Sequence, residues 1–277
     1  MIDFKPSGQK AMNYLVRGTI PLYFDIQGSG STFADDEIQE ALRGKTNDPG
    51  FDLTGYNLIL VTLVEDSTGV EGKSLQYEAT SLADVGYPLT QKRLTPNIGP
   101  TYLVGNHSQH AQIFWWPMAG GCQPAQTGNC SANCAEVRHY DIAGLVDWLQ
   151  SNLTSPLSGA ELKNGIIGRV IYFHCQTGTD RTGMLDLSYR MTVSGDNFTK
   201  AVNNAINSCK PCVMRRIDGS CGPPADCISA AARPMWQYLC LAQAYCHSFH
   251  DLRDCGFAMT CGDVDKLWCR DNSPTCD

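Results

Sequence analysis

Residues 170–184 read V-I-Y-F-H-C-Q-T-G-T-D-R-T-G-M. An apolar run ends on His174 and Cys175. Arg181, Thr182 and Gly183 follow across a short polar segment that contains Gly178. Folded as strand, loop and helix, these residue types can do nucleophilic chemistry on an oxyanion. The first N–H groups of a helix have no intrahelical partner, and the helix dipole makes that end positive. A loop over Gln176, Thr177, Gly178, Thr179, Asp180 and Arg181 can curl so that successive N–H groups line a concave phosphate site, and Gly178 allows the backbone angles of such a curl. The Arg181 guanidinium offers a planar fork for two phosphate oxygens. Cys175 then forms the floor of the cradle, where the same positive field favours the thiolate, the nucleophilic form of cysteine. Thr182 can donate a hydrogen bond to that sulfur, and His174 can orient the loop through its ring nitrogens.

Such a loop needs a buried strand before it and a helix after it. Residues 168–174 read as that strand and 182–193 as that helix. Residues 56–64 (YNLILVTLV) are β-rich and almost wholly apolar, so they read as a second strand buried on both faces. Residues 101–104 and 112–116 read as two more strands, and 1–35 as short strands broken by Gly and Pro. Residues 35–43 (DDEIQEALR) form a short helix, acidic first and basic last. Apolar positions 142, 145, 146, 149 and 153 have helical spacing behind Asp141 as N-cap. Residues 155–165 read as a connection, 197–206 as a helix after an Asn cap, and 230–249 as a longer helix. Strands alternating with helices predict an α/β domain around a mixed or parallel sheet. Residues 1–250 are expected to form that domain, with Cys-rich segments at about 120–136 and 209–227. Residues 251–277 form a Cys-rich tail pinned to it.

The chain has 277 residues, 43% of them hydrophobic, enough for a sizeable core. No apolar run is long enough for a membrane span. Residues 1–10 are polar with no signal-peptide core, which fits a protein that is not secreted or a mature chain with an added Met. A net charge of −7 argues against nucleic acid as a partner. The chain carries 14 cysteines, none of them in residues 1–121. That density predicts disulfides and a secreted or lumenal, oxidising compartment. The sequons at Asn106, Asn129, Asn152 and Asn197 lean the same way. The alternative is a reduced cytoplasmic protein with zinc on Cys209, Cys212, Cys221 and Cys227. Cys255, Cys261, Cys269 and Cys276 read as staples. With Cys175 free, 13 cysteines remain, so a further thiol is free or bonded to another chain. His107 and His110 have no third ligand at metal spacing and read as loop residues. His247 and His250 complement a helix C-terminus.

His174-Cys175-x5-Arg181-Thr182-Gly183 resembles the signature of the cysteine-dependent protein tyrosine phosphatases. Residues 60–65 (LVTLVE) followed by 75–77 (LQY) resemble the strand before a Gln-Tyr pair in tyrosine-specific members. Residues 113–121 (IFWWPMAGG) resemble the family's mobile Trp-Pro-Asp loop. Residues 233–245 resemble the region that carries a water-positioning glutamine, here Gln237. The resemblance implies a tyrosine-phosphatase-like mixed sheet flanked by helices. It also implies a two-step reaction without metal or cofactor: Cys175 attacks phosphorus, Arg181 and the loop amides hold the equatorial oxygens, and water hydrolyses the phospho-cysteine. Vanadate should bind the cradle tightly.

One departure bears on the chemistry. The position of the family's general acid, after Trp116-Pro117, is Met118, which cannot deliver a proton. Acid help is worth roughly 10²–10⁴ in rate. Three readings stay open: an acid from elsewhere, such as Glu136 or Asp141; Asp180 inside the loop; or a slow or inactive protein. Asp180 is favoured, because Cys-x-x-Gly-x-Asp-Arg-Thr also resembles the myotubularin-like lipid phosphatases and some bacterial phosphatases, where the loop Asp is a proposed acid. The neutral Gln176, Thr177 and Thr179 favour a singly phosphorylated substrate such as phosphotyrosine, while the Asp-Arg-Thr ending leaves a lipid phosphate open. The expectation is thus a phosphomonoester hydrolase acting on a phosphorylated protein or lipid. The alternative is a catalytically weak or dead relative that binds phosphorylated ligands or serves an assembly.

Overall fold

In the computed structural model the described residues are 2–4, 12–24, 31–65, 70–84, 89–90, 101–105, 111–122, 134–207, 236–249 and 255. Their strands are β1 (Ile2–Phe4), β2 (Asn13–Gly18), β3 (Leu22–Phe24), β4 (Ser31–Phe33), β5 (Tyr56–Thr62), β6 (Leu89–Thr90), β7 (Thr101–Gly105), β8 (Ala111–Trp115) and β9 (Gly168–His174). The helices are α1 (Asp35–Thr46), α2 (Val70–Asp84), α3 (Glu136–His139), α4 (Ile142–Thr154), α5 (Gly159–Lys163), α6 (Asp180–Val193), α7 (Phe198–Asn207) and α8 (Trp236–Phe249). The fold is mixed α/β, as the alternation of elements predicts.

Seven strands form one sheet in the order β1-β2-β9-β5-β8-β7-β6. The centre, β2-β9-β5-β8, is parallel; β1, β7 and β6 join antiparallel at the edges. β5 and β9 are buried at every position, which is why apolar residues fill consecutive positions in their middles, 58–61 and 170–173, rather than alternating ones. Leu58 and Leu60 of β5, Ile113 of β8, and Val170 and Tyr172 of β9 point to one face and meet Ile38 and Leu42 of α1 and Ala79 and Leu82 of α2. The register sets Thr62 opposite His174 and, on its other side, opposite Trp115. These three residues mark the carboxyl ends of the central parallel strands, where open α/β sheets bind ligands.

The chain divides into two compact units, one containing Met1–Pro117 and Leu149–Gln176, the other containing Met118–Trp148 and Thr177–Met214 together with α8. The sheet, α1, α2 and α5 belong to the first. Its polar anchor is Arg169, whose guanidinium pairs with Glu161 and donates to the carbonyls of Asn152, Ser155 and Pro156 at the end of α4. The second unit is helical, with α6 packed against α7 and α8. Cys122–Cys134 and Cys246–Cys255 are disulfides within it, and Cys240 is also disulfide-bonded. The Cys122–Cys134 bridge lies in the Cys-rich segment near 120–136 and is a disulfide of the kind the cysteine density predicts.

Several local readings hold. The Asp141 side chain accepts from Gly144 N–H, and its carbonyl from Leu145 N–H, so it caps α4. Asn197 caps α7 through Oδ1, which accepts from Lys200 N–H at 2.8 Å. Two readings change. Residues 155–165 are not a bare connection: Ser158 and Glu161 form a capping box that starts α5. Residues 75–77 do follow the strand β5, but they lie inside α2, a helix not expected there. The buried side of α2 carries Ser74, Glu78 and Ser81 beside Ala79 and Leu82, so its apolar stripe is thin in the sequence. Cys209, Cys212, Cys221, Cys227, His107, His110, His250, Asn106 and Asn129 lie outside the described residues, as do residues 230–235 and the tail except Cys255. Among the described residues no helix is long and apolar enough to cross a membrane.

Candidate functional site

β9 delivers His174 and Cys175 to the carboxyl end of the sheet because its consecutive apolar residues Val170, Ile171, Tyr172 and Phe173 bury both of its faces. Cys175 is 1% exposed and is the one cysteine among the described residues that is not in a disulfide. Its neighbour His174 is fully buried in a polar cluster. His174 Nε2 lies 2.9 Å from Glu78 Oε1 and 3.0 Å from Thr62 Oγ1, and Nδ1 lies 3.2 Å from the Cys175 carbonyl oxygen. Thr62 Oγ1 is 3.0 Å from both carboxylate oxygens of Glu78. Tyr172, whose ring lies 5.7 Å from that of His174, has its hydroxyl pushed well above the ordinary phenol range by burial and by the nearby Glu78, Glu37 and Cys175 charges.

The chain then turns. The Gln176 carbonyl accepts from Ile20 N–H at 3.4 Å. Gly178 takes φ +73°, a left-handed conformation that a side chain would strain, and Thr179 leads into α6. Asp180 is the first residue of α6 and half-buried; Thr177 is exposed, while Gly178 and Thr179 are buried. Gly183 N–H donates to the Thr179 carbonyl at 2.9 Å and closes the first helical turn. That turn contains Arg181, 8% exposed, and Thr182, fully buried. Thr182 Oγ1 and Gln176 Oε1 are buried polar atoms with no hydrogen-bond partner, a condition that costs free energy unless a ligand or solvent supplies one.

The segment after β8 is held at several points. Trp116 N–H donates to the Thr62 carbonyl, and Trp115 Nε1–H to the Val64 carbonyl. Met118 is fully buried, and its carbonyl accepts from Arg181 Nη1 at 3.1 Å. Gly120 N–H donates to the Tyr140 hydroxyl oxygen at 2.9 Å. Gly121 packs so closely on the Gln237 backbone that a Cβ there would lie 2.5 Å from the Gln237 carbonyl. Gln237 itself is half-buried in the first turn of α8. The Cys122–Cys134 disulfide follows directly. So the arginine of the motif meets Met118 through a bond from its side chain to the Met118 backbone.

The alternative acids are placed differently. Asp141 is exposed and serves as the α4 cap, and Glu136 Oε2 lies 3.0 Å from Cys134 Sγ. Cys122, Cys134 and Glu136 have ligand atoms within 4.8 Å of one another, but the sulfurs are bonded to each other and so offer no thiolate. Sequence reasoning missed Glu78 and Thr62. Glu78 stands as one carboxylate among polar residues, and the only available signal was the i, i+4, i+7 spacing of Leu75, Ala79 and Leu82, which would have shown the helix that carries it.

No protein-family model, curated protein or solved structure matches this chain.

Proposed function

We propose that this chain is a phosphomonoester hydrolase acting through a phospho-cysteine at Cys175, on phosphotyrosine or a related protein or lipid phosphate. The observation that carries the reading is a free, buried cysteine at the carboxyl end of a central parallel strand, followed by a left-handed glycine and a helix whose second residue is Arg181. Helix N-termini bind anions through their free N–H groups and dipole, and a guanidinium adds a fork for two oxygens. Cys175 sulfur attacks phosphorus in line, and the bond from phosphorus to the leaving oxygen breaks. Arg181 and the loop amides of Gln176 to Arg181 hold the equatorial oxygens. Asp180 gives its proton to the leaving oxygen and takes one from the water that cleaves the sulfur–phosphorus bond. Gln237 orients that water, and Thr182 donates to the sulfur when it leaves. The disulfides favour an oxidising, secreted or lumenal compartment over the cytoplasm.

A second reading, a weak or dead phosphatase-like binding protein, is favoured by Met118, whose side chain has no acidic proton to transfer and whose carbonyl is held by Arg181. Turnover of para-nitrophenyl phosphate by the full chain and by Cys175→Ser separates the two. The first reading expects turnover that the serine variant abolishes. Activity that survives the serine change refutes it, and vanadate binding with no turnover by the unmodified chain supports the second.

A further inference from the structure

Glu78 belongs to no motif in the sequence. It is nevertheless a fully buried carboxylate whose hydrogen-bond partners are Thr62 and His174. An uncompensated carboxylate in such a place is costly, so its partners define its role. The Cys175 carbonyl can only accept, so the 3.2 Å contact requires His174 Nδ1 to carry a proton. On the other side of the ring, Nε2 and both carboxylate oxygens lie about the Thr62 hydroxyl, whose single proton can bridge to only one of them. The 2.9 Å contact between Nε2 and Oε1 therefore holds a proton of its own. The imidazole is clamped at one nitrogen by α2 and aims the other at the backbone of the cysteine.

That aim has a consequence one bond further on. In a trans peptide the carbonyl and the following N–H point in opposite directions. With the Cys175 carbonyl drawn back to His174, the Gln176 N–H is turned away from His174. The Gln176 carbonyl is in turn drawn to Ile20 N–H, which turns the next N–H away from Ile20.

We propose that Glu78 is a positioning residue. By clamping His174 it fixes the Cys175–Gln176 peptide, so that the Gln176 N–H serves as an oxyanion donor of the loop. The proposal rests on the phosphatase reading for the identity of the oxyanion. The orientation of the peptide stands independently of turnover.

The test uses the full chain with vanadate as the probe. Glu78→Ala should weaken vanadate binding about tenfold, the loss expected for one misdirected donor to a charged group. Glu78→Gln, whose amide can still bridge to Nε2 as donor through its N–H or as acceptor through its oxygen, should restore it to within about threefold of the unmodified chain. A merely structural role would lower thermal stability without this rescue, so unchanged vanadate affinity in folded Glu78→Ala overturns the proposal. Nuclear magnetic resonance on the unmodified protein gives a second readout that no variant can spoil. His174 should carry a proton on Nδ1, and the Gln176 amide should shift on adding vanadate. A bare Nδ1, or a silent Gln176 amide while vanadate binds, overturns the proposal. If the unmodified chain binds no vanadate, the phosphatase reading and the donor role fall together, and the Nδ1 proton still decides whether the peptide is fixed as described.

Discussion

Removing the Cys122–Cys134 bridge by a Cys122→Ser, Cys134→Ser double substitution tests how the segment bonded to Arg181 is held. The bridge closes a loop with a sequence separation of 12 residues. In the chain-entropy account, such a loop restricts the unfolded ensemble by about 2.8 kcal/mol at 25 °C. The native contacts of the segment do not involve the sulfurs: Gly120 remains bonded to the Tyr140 hydroxyl and Met118 to Arg181. The native state should therefore persist while the unfolded state gains freedom. Urea unfolding of the double variant, with Cys175 intact, should show a midpoint lowered by about 1 M for an m-value near 3 kcal/mol/M, with the m-value itself rising as the unfolded chain expands. The melting temperature should fall by roughly 6–11 °C. A midpoint shift below about 0.2 M with an unchanged m-value would refute the reasoning, because the bridge would then be holding nothing that the hydrogen bonds do not already hold.

Glu161 gives a pH prediction. Burial raises its pKa, but hydrogen bonds from Arg169, Asn57 and Ser158 together outweigh that and leave it at about 2, against an ordinary value of 4.5. A depressed carboxylate stabilises the fold above its unfolded pKa and loses that contribution as pH falls from about 4.5 towards 2. Discounted for partial solvent screening, the contribution is about 1–2 kcal/mol at neutral pH. Glu161→Gln should therefore be less stable than the unmodified chain at pH 7 in urea titrations and approach it at pH 2–3; a gap that does not narrow refutes the assignment. Asp180→Asn should lower kcat by roughly 10²–10⁴ on phenyl phosphate and by much less on para-nitrophenyl phosphate, whose leaving group needs little proton help. Equal losses on both substrates would remove Asp180 as the acid.

Local signals carried far in this chain. β5 and β9 stand out because strands buried on both faces carry apolar residues at consecutive positions, 58–61 in β5 and 170–173 in β9, with the buried polar residues Asn57, Thr62, Arg169 and His174 confined to their ends. Asp141 and Asn197 stand out as caps because a side-chain oxygen just before an apolar-periodic run has one use, the orphan N–H groups of the first turn. Gly178 was legible because the turn into α6 demands a left-handed residue. α2 escaped because Ser74, Glu78 and Ser81 occupy its buried side, so hydrophobic period reported only part of the face that packs. α5 escaped because it is short and has no buried residue, and only its capping box marks it.

The sequence by itself determined the order strand, cysteine, glycine loop, arginine, helix, and the segregation of the cysteines to the second part of the chain. The first is a fact about neighbours along the backbone, governed by dihedral preferences and local hydrogen bonding; the second is a fact of composition alone. Only the tertiary structure decided that Glu78 clamps His174 across 96 residues, that Arg181 bonds the Met118 carbonyl across 63, and that Cys122 pairs with Cys134 while Cys175 stays free. Those pairings are set by sheet register and by which helix face is buried, and contacts between residues distant in sequence leave no periodic trace in the sequence of either partner.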